Sequence, residues 1–305
     1  MILGNDCSTY QGEPIDFHKM KAAGCQFLYI RVGVGWNKDA RFEQNRKGAR
    51  EAGIPFGTYW VPYPSNTTGA LLENYAFLHG GDWGDLPPAI DVETSGLGLA
   101  LFIYWLNFTE PLWIKHIGEN APAIRKKLVF YTRASHFNGY ANTNNYKQEL
   151  GRRTNLWVAH YTYSPDKKPT LPKDSWADYL IHQYSADENS LGANYGVKSK
   201  AIDMNYWNGS ELDFFEWSGV IAGEPTQPPE PVQRYVRVIA KQSNGQPGWL
   251  FFRNRPEFYA GDGVAVGYGV QLKLLEPEPI NGLWHVELDN FDGYVSAGTK
   301  YTELV

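Results

Sequence analysis

The chain has 305 residues, enough for one large domain and one small one, and its apolar and charged content is ordinary for a soluble globular protein. A formal net charge of -5, with no lysine or arginine cluster, argues against a nucleic-acid partner. No apolar run approaches a membrane span, and the two cysteines, Cys7 and Cys25, make no disulfide framework and read as reduced core residues.

Taken in order, Ile2 to Cys7 is a short apolar run carrying Asp6, and it reads as the first strand. Pro14 to Ala23 has apolar residues at helical spacing and is stopped by Gly24. Gln26 to Val34 is a mostly apolar run, as expected of a strand covered on both faces. Phe42 to Ala52 reads as a helix ended by Gly53, Ile54 to Val61 as the third strand, and Thr68 to His79 as a helix ended by Gly80-Gly81. Leu86 to Glu93 is a strand opened by two prolines. Ala100 to about Gly118 reads as a helix that Pro111 kinks or divides. Leu128 to Thr132, Leu156 to Tyr161, Tyr179 to Tyr184 and Ala201 to Tyr206 supply strands five to eight. The links in the last third are short and rich in Ser, Pro, Asp and Gly, which leaves little room for helices.

Eight strands in this alternation predict an α/β fold, an irregular parallel (β/α)8 TIM-like barrel with some outer helices missing. Chemistry in such barrels sits at the C-terminal strand ends. The residues expected there are Asp6, Arg31, Tyr59, Asp91, Glu93, Tyr131, His160, Tyr161, Gln183, Tyr184 and Asp203. Asp91 and Glu93 are two apart, so in a strand both side chains leave one face, with Ala89 beside them and Ile90 and Val92 opposite. One carboxyl held protonated beside one ionised is what acid-assisted cleavage of a glycosidic bond needs. A D-x-E alone is common enough to be two unrelated acids. Four acids converging on one mouth is what a purely structural barrel would lack.

Residues 221–233, around Gly223-Glu224-Pro225-Thr226-Gln227-Pro228-Pro229-Glu230-Pro231, form a stiff proline-rich linker. It separates a barrel over 1–220 from a small all-β module over 234–305, whose short alternating runs are parted by turn residues. Other chemistries lack their signatures: no H-E-x-x-H or zinc-spaced Cys/His set, no P-loop, no dinucleotide fingerprint and no G-x-S-x-G elbow. His160 and His182 read as hydrogen-bonding residues near the mouth rather than ligands. No metal and no cofactor is expected.

The residues in order resemble the family 25 glycoside hydrolases, the lysozymes (N-acetylmuramidases) of bacteriophage endolysins and autolysins. Asp6-Cys7-Ser8-Thr9-Tyr10-Gln11-Gly12 with Ile15-Asp16-Phe17 is similar to the family's opening. Tyr29-Ile30-Arg31, Gly57-Thr58-Tyr59, Pro88-Ala89-Ile90-Asp91-Val92-Glu93, Leu156-Trp157-Val158-Ala159-His160-Tyr161, Gln183-Tyr184-Ser185 and Asp203-Met204-Asn205 follow in the family's order. The resemblance implies that Glu93 is the general acid, that Asp91 assists through the substrate's N-acetyl group, and that Asp6 and Asp203 complete the acidic cluster and tune Glu93. Arg31, Tyr59, Tyr131, Trp157, Tyr161 and Gln183 would bind the saccharide. Strand geometry alone leaves retention and inversion open, because Cα atoms two apart lie roughly 6.6 Å from each other. His182 before Gln183-Tyr184-Ser185, and Trp60-Val61-Pro62-Tyr63 after the third strand, depart from the family pattern.

Val236-Arg237, Gly269-Val270, Leu283-Trp284-His285-Val286 and Gly293-Tyr294-Val295 resemble a bacterial SH3-type (SH3b) wall-binding domain, an SH3-like barrel. The partner implied is bacterial peptidoglycan, met by a monomer without membrane insertion. The amino-terminal residues carry no secretory signal pattern, so the expectation is synthesis in a host cytoplasm and release to the wall by a holin or by lysis. A chitinase-like or other N-acetylhexosaminide glycosidase, and a non-catalytic wall-binding protein, are the alternatives.

Overall fold

The computed structural model describes residues 1–304 apart from 13, 66, 187–189, 221–234, 244, 254–263, 276–278, 280–281 and 289–290. Its contacts divide the chain into two compact units, Met1–Pro228 and Pro229–Val305. The expected linker, 221–233, lies outside the described residues.

The first unit runs β1 (Leu3–Cys7), α1 (Phe17–Ala22), β2 (Cys25–Val34), β3 (Asn37–Lys38), α2 (Phe42–Ala52), β4 (Phe56–Val61), α3 (Thr68–Leu78), β5 (Ala89–Asp91), α4 (Leu99–Ile117), α5 (Ala123–Lys126), β6 (Val129–Thr132), α6 (Ala134–Asn138), α7 (Tyr146–Arg153), β7 (Asn155–Ala159), β8 (Ile181–Ser185), β9 (Asp203–Trp207) and α8 (Glu211–Ser218). The strands are ordered β1-β9-β8-β7-β6-β5-β4-β2, and β1 pairs with β2 to close an eight-stranded barrel; β3 hangs from β2 as a hairpin arm. Local chemistry sets the boundaries. Asp16 caps α1 by accepting the Lys19 N–H at 2.9 Å. Gly53, at φ 65°, ends α2 in the left-handed conformation a Cβ disfavours.

Two expectations need correction. The barrel is not wholly parallel, because β9 runs antiparallel to both β8 and β1. Parallel neighbours need a crossover that carries the chain back along the barrel, usually a helix. Among the described residues of 186–202 only a short 3-10 turn occurs, and the chain re-enters from the end it left; the equally helix-free link before β8 instead returns the chain for parallel pairing. Secondly, Pro111 does not divide α4, which is one helix of 19 residues. Its inward residues Phe102, Ile103, Trp105, Leu106 and Trp113 are buried, at about 1.5–3 kcal/mol each. That burial exceeds the roughly 3 kcal/mol cost of an internal proline.

Alternation of side chains splits the core in two. Outward residues such as Leu28, Ile30, Phe56, Trp60, Ile90, Phe130 and Val158 pack under the helices, with both free cysteines among them. Inward residues Phe27, Tyr29, Ala89, Val129, Tyr131, Trp157, Ile181 and Trp207 fill the barrel. Phe214 and Trp217 of α8 close its floor, with the Trp217 ring 4.6 Å from that of Trp207. Gly4 and Gly57 make room for this filling: a Cβ at Gly4 would come within 2.5 Å of the Phe27 ring, and one at Gly57 within 2.7 Å of the Tyr29 ring.

The second unit is all-β: β10 (Tyr235–Val238), β11 (Trp249–Phe252), β12 (Val264–Gly267), β13 (Gln271–Leu274), β14 (Leu283–Leu288), β15 (Phe291–Ser296) and β16 (Thr302–Leu304). Five form an antiparallel sheet ordered β15-β14-β13-β10-β16, and β11 pairs with β12. Val236, Val238, Leu272, Leu274, Val286 and Val295 make its core.

Candidate active site

The inward residues nearest the C-terminal ends of the parallel strands are Asp6 on β1, Arg31 on β2, Tyr59 on β4, Asp91 on β5, Tyr131 on β6 and Gln183 on β8. The reversed direction of β9 brings its first residue, Asp203, to the same level, in register with Asp6. The sequence placed Asp203 at a strand's C-terminal end; it reaches the mouth from an N-terminal one.

Asp6 is the centre of a dry hydrogen-bond network. It is 5% exposed. Its Oδ2 accepts from Gln183 Nε2 at 3.0 Å and from Asn205 Nδ2 at 2.9 Å. Gln183 Oε1 accepts the Tyr131 hydroxyl at 2.8 Å, and Asn205 Oδ1 accepts the Trp157 indole N–H at 2.8 Å. Each amide therefore has its oxygen and nitrogen ends fixed by different partners. The Asp203 side chain also hydrogen-bonds Asp6. Burial pushes the Asp6 carboxyl up from 3.8 to about 6; the bonds from Asn205, Gln183 and Asp203 pull it down, and the charge of Glu93 adds to the rise.

Asp91 is pushed well above the usual carboxylate range, first by burial and then by the negative charges of Glu93 and Asp6, with Arg31 and Arg133 pulling the other way. β5 ends at Asp91, which leaves Glu93 two residues further out on the rim.

Glu93 is 34% exposed, and its Oε1 accepts from Arg133 Nε at 2.7 Å. Arg133 also donates from Nη2 to the Tyr161 hydroxyl at 2.8 Å, and its guanidinium lies 4.8 Å from the centre of the Tyr161 ring. With Arg133 itself 46% exposed, a pair of this kind is worth about 0.2–1 kcal/mol. Glu93, Arg133, Ser135 and His136 line a cleft of ≈ 480 Å³.

Other expected residues stand in different relations to the mouth. Arg31 is committed to Asp39, both Nε and Nη2 lying 2.7 Å from Oδ2. Asp39 also accepts the Thr9 and Arg41 N–H groups, and the exposed Tyr10 ring covers Arg31 at 4.7 Å. Tyr59 is partly buried, edge-on to Trp157 at 6.3 Å. Trp157, expected along the cleft, is 2% exposed and lies beneath it, wedged against Tyr29 and Tyr131 at 4.7 Å each. His182 and Tyr184 face away from the mouth, because strand alternation turns them outward when Gln183 points in. The His182 Nε2 bonds the His160 carbonyl at 2.8 Å and its ring packs between Tyr179 and Tyr184. His160 is exposed, its Nδ1 accepting the Thr170 N–H.

Sequence reasoning missed Arg133, Asn205 and Asp39. Arg133 had a signal: it is the first residue after the fifth strand, at the end where the chemistry was expected. Asn205 sits two residues after Asp203 and so shares its face.

The closed barrel and the carboxylates gathered at its mouth define the class, a glycoside hydrolase built on a β/α barrel. The sequence profile of glycosyl hydrolases family 25 matches residues 5–193, and the chain belongs to that family. It is 32% identical over 216 residues to Lysozyme M1 of Streptomyces globisporus, covering 68% of each chain. It is 31% identical over 160 residues to the N,O-diacetylmuramidase of a Chalaropsis species, covering 47% of this chain and 74% of that protein. The crystal structure of the bacterial lysozyme from Streptomyces coelicolor superposes with a TM-score of 0.54 at 26% identity, over 72% of this chain and 98% of the other.

Proposed function

We propose that the protein is a muramidase that hydrolyses the β-1,4 bond between N-acetylmuramic acid and N-acetylglucosamine in bacterial peptidoglycan. The observation that carries this reading is the gathering of Asp6, Asp91 and Asp203 at one barrel mouth, with Glu93 on its rim beside an open cleft. Like charges this close favour one proton between them.

When substrate binds, the N–H of its acetamido group donates to Asp91 and favours the carboxylate. The proton then resides on Glu93, which delivers it to the glycosidic oxygen as the bond to the anomeric carbon breaks. The acetamido oxygen, oriented by Asp91, stabilises the developing positive charge, and water completes hydrolysis with Glu93 as base. Asp6 and Asp203, braced by Gln183 and Asn205, hold the floor under Asp91 and keep negative potential beneath the oxocarbenium-like centre. Tyr59, Tyr131 and Tyr161 offer ring faces and hydroxyls to the sugars, Arg31 fixes the wall on the β2 side, and Trp157 and Gln183 act from below. The shared names lysozyme and muramidase among the relatives support this substrate class.

The second unit, in this reading, is an SH3b-like wall-binding module joined by a proline-rich linker, which raises the local substrate concentration. The whole is a monomeric endolysin that reaches the wall from the cytoplasm through a holin or by lysis. Deleting residues 225–305 tests the module: binding to whole cells should fall at least tenfold while kcat on soluble glycan fragments stays within about twofold. Equal losses on both would make it a structural part of the enzyme.

A further inference from the structure

We propose that Arg133 is a receptor for a carboxylate carried by the bound glycan, and that its transfer to that anion releases Glu93 for catalysis. The inference rests on the assignment of Glu93 as the acid. In the free protein the two roles conflict, because Glu93 Oε1 is engaged as an acceptor by Arg133 at 2.7 Å. A guanidinium beside a carboxylate favours the ionised form, whereas the acid must present a proton to the leaving oxygen, so loosening the pair favours the catalytic form.

Three features indicate where the guanidinium goes. First, Arg133 borders the same cleft as Glu93, together with Ser135 and His136, and the space of ≈ 480 Å³ admits a substituted sugar. Secondly, its Nε and Nη2 are used by Glu93 and Tyr161, and among the described residues Nη1 has no partner, which leaves one donor for an added acceptor. A guanidinium takes a carboxylate through two parallel bonds, which its single bond to Glu93 does not match. Thirdly, the other arginine of the mouth, Arg31, is held by Asp39 within a buried pair, which leaves Arg133 as the cation free to change partners. The Tyr161 ring under the guanidinium gives it a platform in both positions.

The proton count closes: the pair shares one proton and one negative charge, and where that proton starts on Asp91 its O–H bond breaks as one forms on Glu93. The carboxylate can come from the lactyl group of a peptide-free muramyl residue or from the stem peptide.

Three glycan preparations of matched length separate these sources: peptide-free strands with the lactyl carboxylate, the same strands converted to lactyl methylamides, and strands bearing stem peptides. Wild type, Arg133→Gln and Arg133→Lys are compared by kcat and KM, with thermal unfolding as the folding control. Wild type should prefer a carboxylate-bearing strand over the methylamide by at least tenfold in kcat/KM. Arg133→Gln should reduce that ratio to near one, and Arg133→Lys should restore part of it. Preference for the lactyl carboxylate assigns the lactyl group, and preference confined to peptide-bearing strands assigns the peptide. A wild-type preference that survives Arg133→Gln, or no wild-type preference at all, overturns the receptor role. Failure of wild type to cleave any of the strands refutes the muramidase reading itself.

Discussion

The two sets of acids at the barrel mouth are held by opposite means. Asp6 is buried, meets two fixed amides and a second carboxyl, and pays for its place in lost hydration. Glu93 is a third exposed and meets one arginine that is itself half exposed. A buried polar network fixes a geometry because every member has one satisfactory arrangement. An exposed pair fixes little, because water and other ions compete for both partners. The deep set therefore sets shape and potential, and the rim pair supplies the group that changes state.

The sharpest way to break this contrast is at Glu93. Glu93→Gln should lower kcat on peptidoglycan by about 10³-fold or more, while thermal unfolding stays within about 2 °C of wild type. A large drop in melting temperature would place Glu93 in the structural set instead.

Asp6 should behave the other way. Its carboxyl ionises at 3.8 when exposed in the unfolded chain and at about 6 when folded. As pH rises between those values the unfolded chain loses its proton first, so stability falls and stays reduced above about 6. The gap corresponds to an upper bound of about 3 kcal/mol. Asp6→Asn keeps an acceptor oxygen for Gln183 and Asn205 and removes the charge. It should raise stability by about 1–3 kcal/mol at pH 7 and give no gain at pH 4, read from thermal melts across that range. A gain independent of pH would mean that burial of the charge is not the cause.

Smaller effects grade the network from its edge. Tyr131→Phe removes the hydroxyl that orients Gln183 and should cost about 1 kcal/mol in chemical denaturation, with a severalfold loss of kcat. At the rim, Arg133→Gln should change stability by less than about 0.5 kcal/mol, measured the same way; a larger change would join Arg133 to the deep network.

Much of this arrangement was legible in the sequence. The helix Phe42–Ala52 was bounded to the residue because apolar spacing and Gly53 act locally. Asp6, Arg31, Asp91 and Gln183 were brought to one mouth by the two-residue period of strands, which is also local. Strand direction is not local. The alternation in Asp203–Trp207 reads the same in either sense, and the helix-poor approach to it does not decide, because an equally helix-free link leads into the parallel β8. The outward turn of His182 followed from the inward turn of Gln183 and was available. Arg133 and Asn205 had local signals, a position just past the fifth strand and a place two residues from Asp203, but which partners they bind depends on neighbours across the barrel. The unbroken α4 shows the limit of a breaker signal, since burial of Trp105 and Trp113 outweighs one proline.

Digestion of purified peptidoglycan by wild type and Glu93→Gln, with the new ends reduced by borohydride and identified by mass spectrometry, asks whether this barrel cleaves after N-acetylmuramic acid with Glu93 as its acid. Reduced muramic acid from wild type alone is the predicted result. Reduced glucosamine, or muramic acid released equally by Glu93→Gln, would contradict it.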